Sequence, residues 1–90
     1  MELEPLEKSV LEKLIFEERF DHILTECKAL EKPKVIEDIL KYLIQHKLVT
    51  TRYIQGEAPS KQGYMYDSDH MHHYSYQASA KGIRILMNTP

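Results

Sequence analysis

The stretch "KPKVIEDILKYLIQHKLVTT", from Lys32 to Thr51, decides the fold. Its apolar residues recur three and four positions apart, which is the period of one helix face. Pro33 suits the first turn of such a helix because the N–H that proline lacks has no helical partner there. We predict a helix from Pro33 to about His46–Lys47. The side chains that mark its buried face are Val35, Ile36, Ile39, Leu40, Leu43 and Ile44.

The chain that follows this helix changes its pattern. "LVTTRYIQ", residues 48–55, is rich in β-branched and aromatic residues and predicts a strand. "GEAPSKQG", residues 56–63, predicts a loop, and "YMYDSDHMHHYSYQAS", residues 64–79, predicts two short strands about a polar turn at Asp67–His70. Ser79 is a candidate cap for a final helix. That helix is expected to carry Ile83, Leu86 and Met87 inward.

Two amphipathic helices are predicted before Lys32. The first runs from Pro5 to about Glu17 and the second from about Arg19 to Lys28. Their apolar stripes are Leu6, Val10, Leu11, Leu14 and Ile15, and Phe20, Ile23, Leu24, Cys27 and Leu30. Ninety residues support one small domain, so residues 1–90 are assigned to a single domain. The expected class is α+β: three helices, a small antiparallel sheet and a short C-terminal helix.

This order resembles the winged helix-turn-helix family of bacterial transcription regulators, over roughly Leu6 to Leu86. Many members have a proline-started recognition helix with apolar residues at relative positions 0, 4 and 7, then a glycine and an apolar pair that opens the wing. The matching residues are Pro33, then Ile36, Leu40 and Leu43, then Lys47, Leu48 and Val49. A "T-x-K-G" start of the last helix is matched by Ser79-Ala80-Lys81-Gly82. Since Lys47 replaces the usual glycine, we expect a less sharply turned helix end.

The resemblance implies duplex DNA as the partner, bound by a dimer in transcription regulation. It places the third helix in the major groove and the wing on the backbone. The candidate DNA contacts are Lys32, Lys34, Lys41 and Tyr42 on that helix, with Arg52 and Lys61 on the wing. The first helix is the expected dimer contributor, because its apolar residues are numerous. The alternative for each lysine is an ordinary surface position.

The charge distribution gives support to both DNA binding and protein interaction. Residues 1–31 carry four basic and nine acidic side chains, a net charge of −5, while residues 32–54 carry five basic and two acidic, a net charge of +3. The basic segment favours DNA, whereas the acidic half favours a non-enzymatic protein-interaction module on the same fold. Glu37 and Asp38 lie where family members often place DNA-contacting residues. They are expected to be solvated or to pair with Lys41 on the next turn.

Other classes of function find little support in the sequence. No apolar run approaches the roughly 20 residues that span a bilayer, and the acidic N-terminus is unlike a secretory signal. Cys27 is the only cysteine, so no intrachain disulfide is possible, and we expect a cytoplasmic protein with Cys27 as a buried filler. No phosphate-binding glycine loop or nucleophile elbow is present. We therefore predict no enzymatic activity and no cofactor.

The tyrosine- and histidine-rich segment allows three interpretations. Its alternating tyrosines suit a sheet face, with rings on the core or a partner and hydroxyls in water. The second interpretation is a zinc or nickel site of Asp67, Asp69, His70 and His72, with the two histidines sharing one strand face. The third is pH sensing by clustered histidines. Two histidines on a strand do not complete a site, so no metal site is assigned. His22 is expected to be an ordinary solvated helix residue.

Overall fold

The computed structural model describes residues 3–54 and 68–88. Within these ranges the protein is α+β, with four α-helices and a three-stranded antiparallel sheet. In chain order the elements are α1 (Pro5–Glu12), β1 (Glu18–Arg19), α2 (Phe20–Cys27), α3 (Pro33–Gln45), β2 (Val49–Tyr53), a 3-10 helix (Ser68–His73), β3 (Tyr74–Ala78) and α4 (Ala80–Met87). Among these residues, no helix combines the length and apolar composition that crossing a membrane requires.

Helix α3 forms as its periodicity predicts. Pro33 is at its first position, and the helix ends at Gln45, within two residues of the predicted end. Ile36, Leu40 and Leu43 are at most 1% exposed and anchor the inner face of α3 to the core. The opposite face therefore projects away from the protein on a rigid support.

The turn that ends α3 differs from the prediction of a less sharply turned helix end. Lys47 adopts a positive φ of 61°, the left-handed conformation that a glycine would take at this place. Its N–H donates to the Ile44 carbonyl at 3.0 Å, and the Leu48 N–H donates to the Leu43 carbonyl at 2.9 Å. This pair of bonds is the Schellman motif, and it is accompanied by the burial of Leu43 and Leu48. The helix end is thus sharply turned despite the lysine.

We expect Lys47→Gly to stabilise the protein by about 0.5–1 kcal/mol. In the left-handed region the Cβ of lysine lies too close to the following carbonyl oxygen, whereas glycine has no Cβ. The gain is partly offset because glycine is more flexible in the unfolded chain. Urea denaturation of the variant measures the change, with Lys28→Gly, at the right-handed C-cap of α2, as the control that is expected to lose stability. If the Lys47→Gly protein were less stable than the wild type, the backbone at Lys47 would not be strained.

Helix α1 ends earlier than predicted, at Glu12 rather than near Glu17. The reason is a tertiary hydrogen bond: the Leu14 carbonyl accepts from the Ala78 N–H at 2.7 Å, so it does not continue a helical ladder. The chain then enters strand β1, which the periodicity did not predict. As a result Ile15, expected on the buried stripe, is 46% exposed.

Strand β3 is the centre of the sheet, whose order is β1-β3-β2. Tyr76 of β3 lies opposite Glu18 of β1 and Thr51 of β2. The sheet packs one face on the helices, where Tyr74 and Tyr76 are fully buried. The Tyr76 hydroxyl donates to the Met71 carbonyl at 2.8 Å, so the prediction that the tyrosine hydroxyls reach water is wrong for this residue.

The C-terminal helix begins as predicted. The Ser79 side chain accepts a hydrogen bond from the Gly82 N–H at 3.0 Å and caps α4. Ile83 and Leu86 pack against the core, as expected. Met87 does not point inward: it is 79% exposed.

The segment before β3 differs from the predicted pair of strands. The predicted loop at residues 56–63, and the first predicted strand with Asp67, lie outside the described residues. Ser68–His73 forms 3-10 turns, interrupted at His70, rather than a turn and the start of a strand. His70 and His72 therefore do not share a strand face, which removes the geometric basis of the predicted metal pair.

Candidate functional site

The outward face of α3 is polar and electrically balanced. Lys34 and Asp38 form an ion pair with a 3.8 Å separation between Nζ and Oδ1, and their side chains are 74% and 61% exposed. Asp38 is thus largely solvated, which is one of the two predicted outcomes, and its ion pair is with Lys34 on the preceding turn rather than with Lys41. Lys41 is half-buried one turn further along, and Glu37 is half-buried beside it. These two lysines and two carboxylates sum to zero, so the face carries no net positive charge.

The other helix candidates differ in their surroundings. Lys32, the N-cap of α3, is exposed, and its backbone N–H donates to the Glu31 carboxylate at 3.0 Å. Tyr42 is half-buried against the core, with its ring centroid 4.3 Å from that of His46. Tyr42 is therefore partly used in packing. Lys61 lies outside the described residues.

Arg52 is held by a carboxylate on the outer face of the sheet. Its Nε donates to Glu17 Oε2 at 2.6 Å, and the Ser75 hydroxyl donates to the same oxygen. Arg52 and Ser75 lower the pKa of Glu17, and Glu17 in turn raises the pKa of Arg52. A phosphate that binds Arg52, as predicted, would have to displace this anionic partner.

A third cluster lies on α2 and the strand that precedes it. His22 Nδ1 hydrogen-bonds to Glu18 Oε2 and lies 3.4 Å from Glu26 Oε1. Glu18, His22 and Glu26 each offer one ligand atom, and these three atoms lie within 4.8 Å of one another. The hydrogen bond to Glu18 raises the pKa of His22. His22 is exposed, as predicted, but it is placed between two carboxylates.

The main apolar residues of the predicted first helix are buried inside the domain. Val10, Leu11 and Leu14 are fully buried, which removes the argument that α1 supplies a dimer surface. Two exposed apolar side chains lie instead just beyond α1, where Phe16 is 78% exposed beside Ile15. Cys27 is buried, as predicted, and its burial raises the pKa of its thiol, so it is not poised for nucleophilic chemistry.

Sequence reasoning missed Glu17, Glu18, Glu26 and Ser75. Two of them carried a signal: Glu18 and Glu26 lie four positions before and after His22, the spacing at which side chains are neighbours on a helix, although Glu18 belongs to β1 in the structure. The contact of Glu17 with Ser75 joins residues 58 positions apart, and only the sheet pairing brings them together.

Comparisons of this chain with known protein families, with curated proteins and with solved structures found no match. The function must therefore be argued from the geometry of these three sites.

Proposed function

We propose that this protein has a winged helix-turn-helix fold and binds duplex DNA through the outward face of α3. The observation that carries the proposal is that α3 is anchored by buried Ile36, Leu40 and Leu43 while its polar face projects outward. The order of three helices and antiparallel strands also supports the fold. A helix of 13 residues is about 20 Å long and fits a major groove about 12 Å wide.

The charges imply weak and mainly sequence-independent binding. Lys32, Lys34 and Lys41 are the cations available along α3, whereas Arg52 is hydrogen-bonded at 2.6 Å to Glu17, which Ser75 also holds in place. Three phosphate contacts predict a slope of about −2.7 for log K against log salt. The Lys34–Asp38 pair does not prevent contact, because an exposed ion pair contributes at most about 1 kcal/mol and a phosphate can compete with Asp38.

Two substitutions with opposite signs test this surface. We expect Lys34→Glu to weaken binding to random duplex DNA about fivefold or more at low salt, and to reduce the salt slope by about 1. Asp38→Asn is expected to strengthen binding, because it removes a carboxylate from a surface that would face phosphates. Fluorescence anisotropy over a salt series measures both effects.

Lys13→Glu is the matched control, since it changes the same charge at an exposed position outside α3. Opposite effects of the Lys34 and Asp38 variants also separate a charge contact from damage to the fold, which would weaken binding in both. Unchanged affinity in both variants would exclude α3 as the DNA contact.

The second candidate is a non-enzymatic protein-interaction module on the same fold. It is favoured by the neighbouring exposed side chains of Ile15 and Phe16, because a phenyl ring that is 78% exposed is costly in water and typical of contact surfaces. The balanced charge of α3 points the same way. Absence of DNA binding at low salt would leave this second function as the better supported one.

A further inference from the structure

We propose that Glu18, His22 and Glu26 form a surface binding site for a divalent first-row transition metal ion of the zinc type. The site is independent of the proposed DNA contact, because it lies on β1 and α2 rather than on the outward face of α3. Its three ligands also differ from those of the metal site considered for the histidine-rich segment, although His72 of that segment lies at the neighbouring cleft.

The spacing of the donors is the first argument. Zinc bonds to histidine nitrogen and carboxylate oxygen are about 2.0–2.2 Å long, so two ligands of a tetrahedral ion lie roughly 3.4 Å apart. The His22 Nδ1 atom is 3.4 Å from Glu26 Oε1. Glu18 Oε2 lies within hydrogen-bonding contact of the same nitrogen, and a rotation of the half-buried Glu18 side chain would open this contact to the same separation.

The donor set and its charge are the second argument. One imidazole nitrogen and two carboxylate oxygens suit zinc, nickel or cobalt, whereas calcium and magnesium prefer oxygen alone. Among the described residues, the ion pairs of both carboxylates involve His22 and no lysine or arginine. A divalent cation would therefore compensate two negative charges that now share a single histidine.

The surroundings of His22 provide room for further ligands. A surface cleft beside it is lined by Arg19, Phe20, Asp21 and His72. His72 of the 3-10 helix is thus a second imidazole at the same cleft, while the charge of Arg19 opposes that of the metal and reduces affinity. We expect an exchangeable site of micromolar affinity that is completed by water, with His72 tested as a fourth ligand.

The test is calorimetric titration of Zn²⁺ into the chelator-treated full chain without a polyhistidine tag. We expect one ion per chain, and a rise in Tm of about 5–10 °C at zinc concentrations near ten times Kd. His22→Ala and Glu26→Gln are expected to weaken binding about tenfold or more. Both positions are exposed, so neither substitution should unfold the protein, and their Tm values without metal check this.

His46→Ala is the matched control, because it removes an exposed histidine from the end of α3 and should leave zinc binding unchanged. A loss of affinity in His72→Ala would add that residue to the site. No heat and no change of Tm with millimolar Zn²⁺ would overturn the proposal. So would zinc binding that survives His22→Ala, because the ion would then be held elsewhere.

Discussion

Replacing Gly82 with alanine is expected to destabilise the protein by about 2–4 kcal/mol, although alanine is the better helix former. A Cβ at this position would lie 2.3 Å from the Leu48 carbonyl oxygen and 3.4 Å from Leu11 Cδ1. Since alanine gains only about 1 kcal/mol over glycine inside a helix, the steric clash outweighs the propensity.

The clash is costly because the Leu48 carbonyl cannot easily move. It accepts a hydrogen bond from the Ser79 N–H at 2.8 Å, and the Ser79 hydroxyl donates to the Lys47 carbonyl at 2.7 Å. These bonds dock the start of α4 on the end of α3. Displacing α4 to admit a methyl group would weaken both bonds and open the core beside Leu11.

Urea denaturation of Gly82→Ala measures the loss, with Lys81→Ala as the control. Lys81 is exposed in the same turn of α4, and its ammonium makes only a long, exposed hydrogen bond to the His46 carbonyl at 3.3 Å, so its replacement is expected to change stability by less than about 0.5 kcal/mol. A Gly82→Ala protein as stable as the wild type would mean that α4 can shift without cost, and the close approach to Leu48 would lose its structural importance.

The sequence predicted the elements that local rules control. The apolar period after Pro33 defined α3, and Ser79 marked the start of α4, because period and capping act within a few residues of the chain. The resemblance of Ser79–Gly82 to a family motif drew attention to this glycine. What the pattern did not provide was the reason for the glycine, which depends on the distant Leu48 carbonyl.

Several of the predictions that differed depended on long-range contacts. The apolar period predicted that α1 continues through Ile15. In the structure the Leu14 carbonyl accepts a hydrogen bond from the Ala78 N–H, and a strand follows. The sheet also brings Glu17 against Arg52, a contact that the sequence did not indicate. The candidate metal site could likewise be predicted only in part. The spacing of Glu18, His22 and Glu26 is visible in the sequence, but the position of Glu18 depends on the pairing of β1 with β3, which the sequence did not predict.

Replacing Tyr76 with alanine is expected to cost about 3–5 kcal/mol, a large part of the 5–15 kcal/mol that stabilises a typical domain. Tyr76 is fully buried in the central strand, and its ring lies 6.2 Å from that of Phe20 between centroids. Its hydroxyl also holds the 3-10 helix through the Met71 carbonyl, at 2.8 Å. The substitution removes a large apolar group and leaves a cavity between the sheet and α2.

Tyr76→Phe separates the ring from the hydroxyl, because it keeps the packing and deletes one hydrogen bond. We expect it to cost about 1–2 kcal/mol, since the Met71 carbonyl then loses a partner in the interior. Denaturant titration gives both free energies, and amide exchange of the 3-10 helix shows whether that segment loosens first. If Tyr76→Phe matched the wild type in stability and exchange, the hydroxyl would not be what holds the 3-10 helix, with His70 and His72, against the sheet. The burial of Met71 would then hold that segment alone.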